Sequence, residues 1–182
     1  AGDVAVFQST GANTVQCISY VKADGTAVAS SGGGNKTVFV PVYHDPGGDY
    51  INFDPGAGAD LPDNTNEACY SVWSVPDDFT SLTSVKVYLM SRGTGNAEVT
   101  IIGMARNDTD DRSSGGTDDS IAQASRAYTA DTIHLDDVSA AFNGLTLNAN
   151  ELMTLRYVRA GSDGDDTIGA ELQIYGFQIV YA

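Results

Sequence analysis

Residues 171–181 read ELQIYGFQIVY, in which Tyr175, Phe177, Ile179 and Tyr181 alternate with Ile174, Gly176, Gln178 and Val180. Successive side chains of an extended chain point to opposite faces, so this stretch is a strand whose two faces are both largely apolar. Such a strand belongs at the centre of a sandwich or against a neighbour. Working outward, short segments rich in β-branched and aromatic residues recur between Gly, Asp, Asn and Pro turns. They are 14–21 (TVQCISYV), 36–43 (KTVFVPVY), 49–53 (DYINF), 68–75 (ACYSVWSV), 83–90 (TSVKVYLM), 96–104 (NAEVTIIGM) and 151–158 (ELMTLRYV). Recurrence of this kind predicts an all-β sandwich or barrel. About eight antiparallel strands with long acidic loops fit a single jelly-roll domain over residues 1–182, two four-stranded sheets packed face to face. An immunoglobulin sandwich is disfavoured, because Trp73 follows both cysteines and does not lie between them.

Helical signal is thin. Residues 118–127 (DDSIAQASRA) and 136–142 (DDVSAAF) each begin with aspartates that can cap a helix N-terminus, and each is predicted as a one- or two-turn helix within a connection. The glycine-rich SSGGGNK (30–36) lies between two strands and lacks the spacing of a phosphate-binding loop, so it reads as a turn.

Composition narrows the function classes. The 182 residues are enough for one sizeable core, and no apolar run is long enough to cross a bilayer. The first residues, AGDVAVFQST, lack the basic start and apolar centre of a secretory signal, and the opening Ala is what removal of an initiator Met leaves. Acidic residues number 24 against nine basic ones, a formal charge of −15. Only Lys22, Lys36 and Lys86 are lysines. Such a surface repels phosphate backbones and anionic membranes, so neither nucleic acid nor direct membrane insertion is expected. Self-repulsion at this charge is relieved by screening salt, and abundant Asp with scarce Lys points to a high-salt environment. The alternative is a calcium-rich extracellular or marine setting. Cys17 and Cys69 match no metal spacing and sit in strand-like segments; buried free thiols are favoured over a single bridge.

The densest acidic stretch is RNDTDDRSSGGTDDS (106–120), with five aspartates and two arginines in fifteen positions. Asp108, Asp110 and Asp111 there, with Asp163, Asp165 and Asp166 in GSDGDDT (161–167), are the candidate cation-loop residues, since calcium takes six to eight hard oxygens from such loops. The EF-hand pattern fails: counted from Asp163, acids fall at positions 1, 3 and 4, and Glu171 at 9. Solvated loops holding solvent cations, mobile unless a neighbouring subunit orders them, are therefore the expectation. Catalysis is poorly supported. His44 and His134 are the only histidines, no G-x-S-x-G elbow is present, and no cofactor is expected. Paired carboxylates for glycoside hydrolysis can come from anywhere in a chain, but Glu98 and Glu151 read as strand-edge surface positions. Trp73 reads as core before sugar platform. Arg159 has Asp165 or Asp166 within a short hairpin, spacing suited to a bidentate clamp on the loop before the last strand.

The order of WSVPDDF (73–79), the strand LTSVKVYLM, the turn SRGTGNAEVT, the corner RYVRAGSDGDDT and the closing ELQIYGFQIVYA resembles a viral jelly-roll structural domain, over about residues 60–182. With the acidic composition, the chain is most similar to the smaller major capsid protein of icosahedral, internal-membrane viruses of haloarchaea. That family builds shells from single vertical jelly rolls, with two related capsid proteins forming homo- and heterodimers. The resemblance implies a virion shell subunit whose partners are other capsid subunits, with no catalytic residues. The rivals are a non-enzymatic receptor- or carbohydrate-binding sandwich, such as a spike, fibre head or decoration protein, and a secreted hydrolase.

Overall fold

A computed structural model describes residues 4–11, 14–21, 34–44, 50–53, 56–106 and 117–182. The chain divides into two compact units, Ala1–Gly34 and Asn35–Ala182. In the first, β1 (Val4–Gly11) and β2 (Thr14–Val21) form a two-stranded antiparallel sheet whose register runs from Val4↔Val21 to Gly11↔Thr14.

The second unit is an antiparallel sandwich. Its strands are β3 (Lys36–Pro41), β4 (Tyr43–His44), β5 (Tyr50–Phe53), β6 (Gly56–Leu61), β7 (Asn66–Ser74), β8 (Leu82–Ser91), β9 (Gly95–Arg106), β10 (Thr117–Tyr128), β11 (Thr132–Asp137), β12 (Leu152–Ala160) and β13 (Leu172–Tyr181). One sheet runs β10-β9-β12-β7-β4; the other runs β11-β8-β13-β6-β5, with β3 also paired to β13. Four pairings define the topology: β3 with β13, β7 with β12, β8 with β11, and β9 with β10. Among these eight strands, first pairs with last, second with second-to-last, and so inward: a long hairpin rolled over two sheets, which is the jelly roll expected from the sequence. β4, β5 and β6 are added to it, so the sheets hold five and six strands where four each were expected. The described ends of the acidic stretch 106–120 are strand: β9 ends at Arg106, and residues 117–120 open β10, paired to β9.

Alternation builds the core. Val85, Val87 and Leu89 of β8 face Met153, Leu155 and Tyr157 of β12 across the interior, together with Ala97, Val99 and Ile101 of β9. In β13 the alternation changes phase. The register slips between Ile174 and Gly176, so Tyr175 is the extra residue of a bulge. Leu172 and Ile174 before it share the inner face with Phe177 and Ile179 after it, and all four are fully buried. The uninterrupted alternation read from Tyr175 to Tyr181 is thus corrected: Tyr175 leaves the inner row, and the bulge keeps Ile174 opposite Leu89 and Phe177 opposite Val87.

Two helix expectations are also corrected. Residues 118–127 lie in β10, which pairs with β9 from Thr117↔Ala105 to Tyr128↔Gly95. The gain from completing the sheet outweighs the weak helical preference of Ala122, Gln123 and Arg126. Of 136–142, only Ser139–Phe142 forms a single 3-10 turn. Asp137 still acts at its start, accepting from the Ser139 N–H (2.9 Å) and hydroxyl (2.6 Å). Those bonds hold its carboxyl below the usual range, the hydroxyl having the larger effect. No described helix is long and apolar enough to cross a membrane.

Candidate functional site

The residues singled out by chemistry fall into separate places. Asp108, Asp110 and Asp111 lie outside the described residues. Asp163 accepts from the Asp165 backbone N–H (3.0 Å) and Gln123 Nε2 (2.8 Å), which lower its carboxyl in that order of size. Asp165 is exposed, while Asp166 is turned inward to Arg159. Among the described residues no three His, Cys, Asp or Glu side chains are grouped to hold a metal ion. Trp73 is buried with Phe79 and Tyr181 around it, ring centroids 6.0 and 5.3 Å away, so its face is not open to a sugar. Cys69 is a buried free thiol, its pKa pushed up by burial; the Cys17 and His44 side chains lie outside the description. Glu98, expected at the surface, is only 7% exposed; the 161–171 connection lies along this part of β9, Asp166 accepting from the Glu98 N–H at 3.3 Å and the Thr167 N–H donating to the Asn96 carbonyl at 2.8 Å.

Arg159 lies on the inner face of β12 with no exposed surface. Its Nε and Nη2 donate to the two oxygens of Asp166 at 2.9 and 2.8 Å. Nη2 also donates to the Ile168 carbonyl (2.6 Å), and Nη1 to the carbonyls of Leu61 (2.9 Å) and Ala170 (2.7 Å). A guanidinium has five N–H donors, and five bonds are present. A buried cation this fully engaged has no donor left for a substrate. It fixes the loop before β13 to the end of β6, as the spacing suggested.

A second inward polar group fixes β11. Asp136 accepts from Tyr128 Oη (2.6 Å) and Arg126 Nη1 (3.3 Å) of β10, and Tyr128 Oη lies 3.2 Å from Tyr157 Oη of β12. His134, also inward, meets the Tyr128 ring edge-on at 5.0 Å. This network ties an edge strand of one sheet to two strands of the other. Burial raises the pKa of both tyrosines, so neither serves as a base near neutral pH.

The consequence is an edge strand with its polarity reversed. With His134 and Asp136 inward, Ile133 (65% exposed) and Leu135 (43%) face out. They pair in register with Met90 and Tyr88 of β8, and Tyr88 lies opposite Gly176 of β13. Phe39 of β3, 51% exposed, lies against Gly176 and meets the Tyr88 ring edge-on at 5.8 Å. An apolar stripe therefore crosses the outer face of this sheet from Leu135 through Tyr88 to Phe39. Sequence reading missed it: TIHLDD alternates as any half-buried strand does, and alternation alone puts the apolar residues inside.

No family model matches the chain, and no curated protein is similar to it in sequence. Solved structures are similar at low identity. One is the carbohydrate-binding module TmCBM61 in complex with beta-1,4-galactotriose: 8% identity, 78% of this chain and 86% of that one, TM-score 0.40. Another is the family 11 carbohydrate-binding module of the cellulosomal cellulase Lic26A-Cel5E of Clostridium thermocellum: 12% identity, 82% and 87% covered, TM-score 0.40. A third is the Gx strain of infectious bursal disease virus: 13% identity, 96% of this chain but 36% of that one, TM-score 0.37. The likeness is confined to the all-β sandwich layout.

Proposed function

We propose that the chain is a non-enzymatic structural subunit of a virion shell, built for high salt, that assembles with copies of itself and with a second related capsid protein. The observation that carries this reading is the reversed polarity of β11. A strand that answers only to its own core turns apolar residues inward. Here inward Asp136 and His134 are held by partners, and Ile133 and Leu135 are displayed at a sheet edge, where strands readily meet other chains. A second subunit that covers the Leu135–Tyr88–Phe39 stripe completes the burial. The charge of −15 opposes close approach of like subunits in dilute buffer and is screened in brine, so assembly and salt are coupled. Nucleic acid is not a partner in this reading, and the place of action is the capsid.

The test is light scattering on the full chain, alone and co-produced with its related subunit, across low to molar salt. Discrete oligomers in molar salt that Ile133→Glu and Leu135→Glu abolish, with the fold intact, are the expected result. A chain that stays monomeric under every condition, or oligomers indifferent to both substitutions, overturns it. Turnover of a polysaccharide abolished by one carboxylate substitution would replace it with the hydrolase reading.

A further inference from the structure

A cleft of about 390 Å³ lies at one end of the sandwich, between the β7–β8 connection, the first residues of β8, and the segment from Ser139 to Leu147. It shares no residue with the apolar stripe, and its volume falls within the roughly 300–1,000 Å³ typical of small-ligand clefts. It exists because β11 stops short. The β11 ladder ends with Asp137 opposite Lys86, while β8 continues back to Leu82. Ser139 closes the ladder, its hydroxyl accepting from the Val85 N–H at 3.0 Å, and beyond it the chain turns away. The far wall is pinned. Phe142 packs so closely on Gly103 that a Cβ there would lie 2.5 Å from the ring, and the Gly144 N–H donates to Asp119 at 2.6 Å.

Two features make this a built recess. Thr83 is the extra residue of a bulge, since Val180 pairs with Ser84 and Tyr181 with Leu82; bulges re-aim side chains and recur beside binding sites. Phe79 forms an apolar wall whose ring is immobilised against Trp73 and Tyr181, at 6.0 and 6.2 Å between centroids. The remaining lining is chemically uniform. Among the twelve lining residues there is no ionisable side chain: hydroxyls and one amide, among them Thr83, Asn143 and Thr146, alternate with leucines. Thr83, Asn143 and Thr146 are exposed.

Charge then decides the ligand class. A chain of charge −15 repels anions, and a lining without carboxylates offers a cation no counter-charge, so the recess selects neutral molecules. Hydroxyl and amide groups beside a fixed aromatic wall match a ligand that is polyhydroxylated at its edges and apolar on its C–H faces. We infer that this cleft binds a short neutral saccharide, with Phe79 beneath a sugar ring and Thr83, Asn143 and Thr146 hydrogen-bonded to its hydroxyls.

The experiment is a titration of the isotope-labelled full chain, followed by amide chemical shifts, with neutral di- and tetrasaccharides of gluco, galacto and manno configuration. Acidic oligosaccharides and a neutral extended peptide are run beside them. The expected result is saturable perturbation confined to 79–84 and 139–147 by at least one neutral saccharide. Thr83→Arg and Thr146→Arg, both at exposed positions, should each weaken it by roughly tenfold or more with the remaining spectrum unchanged. No perturbation by any neutral saccharide at millimolar concentration overturns the inference. So do a response to the peptide or the acidic sugars only, and binding that survives both arginine substitutions. Because the readout is local, its outcome is independent of whether the chain assembles.

Discussion

Replacing Arg159 with methionine leaves the Asp166 carboxylate buried with only the N–H groups of Glu98 and Ile168 to answer it. Breaking one side of a buried pair costs about 3–5 kcal/mol, so urea unfolding of Arg159→Met should show a large fall in midpoint. Adding Asp166→Asn should restore part of it. Gly176 is a steric counterpart. A Cβ there would come within 2.5 Å of both the Phe39 ring and the Val40 carbonyl, and overpacking of this kind costs about 1–3 kcal/mol. Gly176→Ala should lower the melting temperature, and Phe39→Ala in the same chain should recover only a part, because the carbonyl stays. Cys69 offers a chemical check. Buried, with its thiol pKa raised, it should resist alkylation in native Cys17→Ser protein and react once urea unfolds the chain.

At the level of elements, β11 is tied to the opposite sheet through its own Asp136, which accepts from Tyr128 of β10. Tyr128→Phe removes that donor and leaves a partly buried carboxylate to Arg126. Hydrogen exchange at 132–137 should accelerate by one to two orders of magnitude, about 1.5–3 kcal/mol for a bond to a charged group, while β12 and β13 stay protected. Ile133→Glu, by contrast, touches an exposed position and should alter stability by no more than about 0.5 kcal/mol. These two strands also mark the limits of sequence reading. The strongly alternating segments 68–75, 83–90, 96–104 and 151–158 became β7, β8, β9 and β12 within two residues or so, since one buried face imposes a period of two that no other structure satisfies. β10 was legible only as a weak helix because it carries few large apolar residues, and its strand character comes from the ladder with β9, which residues 118–127 taken alone do not reveal. β11 was passed over, because which way its alternation faces is set by Tyr128 and Arg126 across the sandwich. The Arg159–Asp166 clamp, seven residues apart, was legible; the cleft, assembled from two segments more than fifty residues apart, was not.

For the whole molecule, net charge and buried phenols set the response to conditions. Raising monovalent salt from low to molar should increase the melting temperature steadily, because screening relieves the self-repulsion of a −15 chain. Calcium at matched ionic strength should add nothing beyond its screening if the acidic loops only hold solvent cations; a saturable calcium effect would restore Asp163 and Asp165 as ligands. Alkali acts in the opposite direction. Unfolded tyrosines ionise near pH 10, whereas Tyr128 and Tyr157 keep their protons to higher pH in the fold. Their contribution is complete below pH 10 and is lost as pH rises above it, when the unfolded chain alone can release the protons. Melting curves through this range should therefore fall, more steeply than in a chain whose tyrosines are all exposed.

The bulge at Tyr175 makes β13 selective about which residue it can lose. Deleting Tyr175 would leave a regular ladder in which Ile174, Gly176 and Phe177 keep their partners Leu89, Tyr88 and Val87, so Phe177 and Ile179 stay inside. Deleting Gln178, with Phe177 held inside, would turn Ile179 to the outer face and bring Val180 inward. Loss of the Gln178 codon should therefore abolish soluble expression, whereas loss of the Tyr175 codon should be carried.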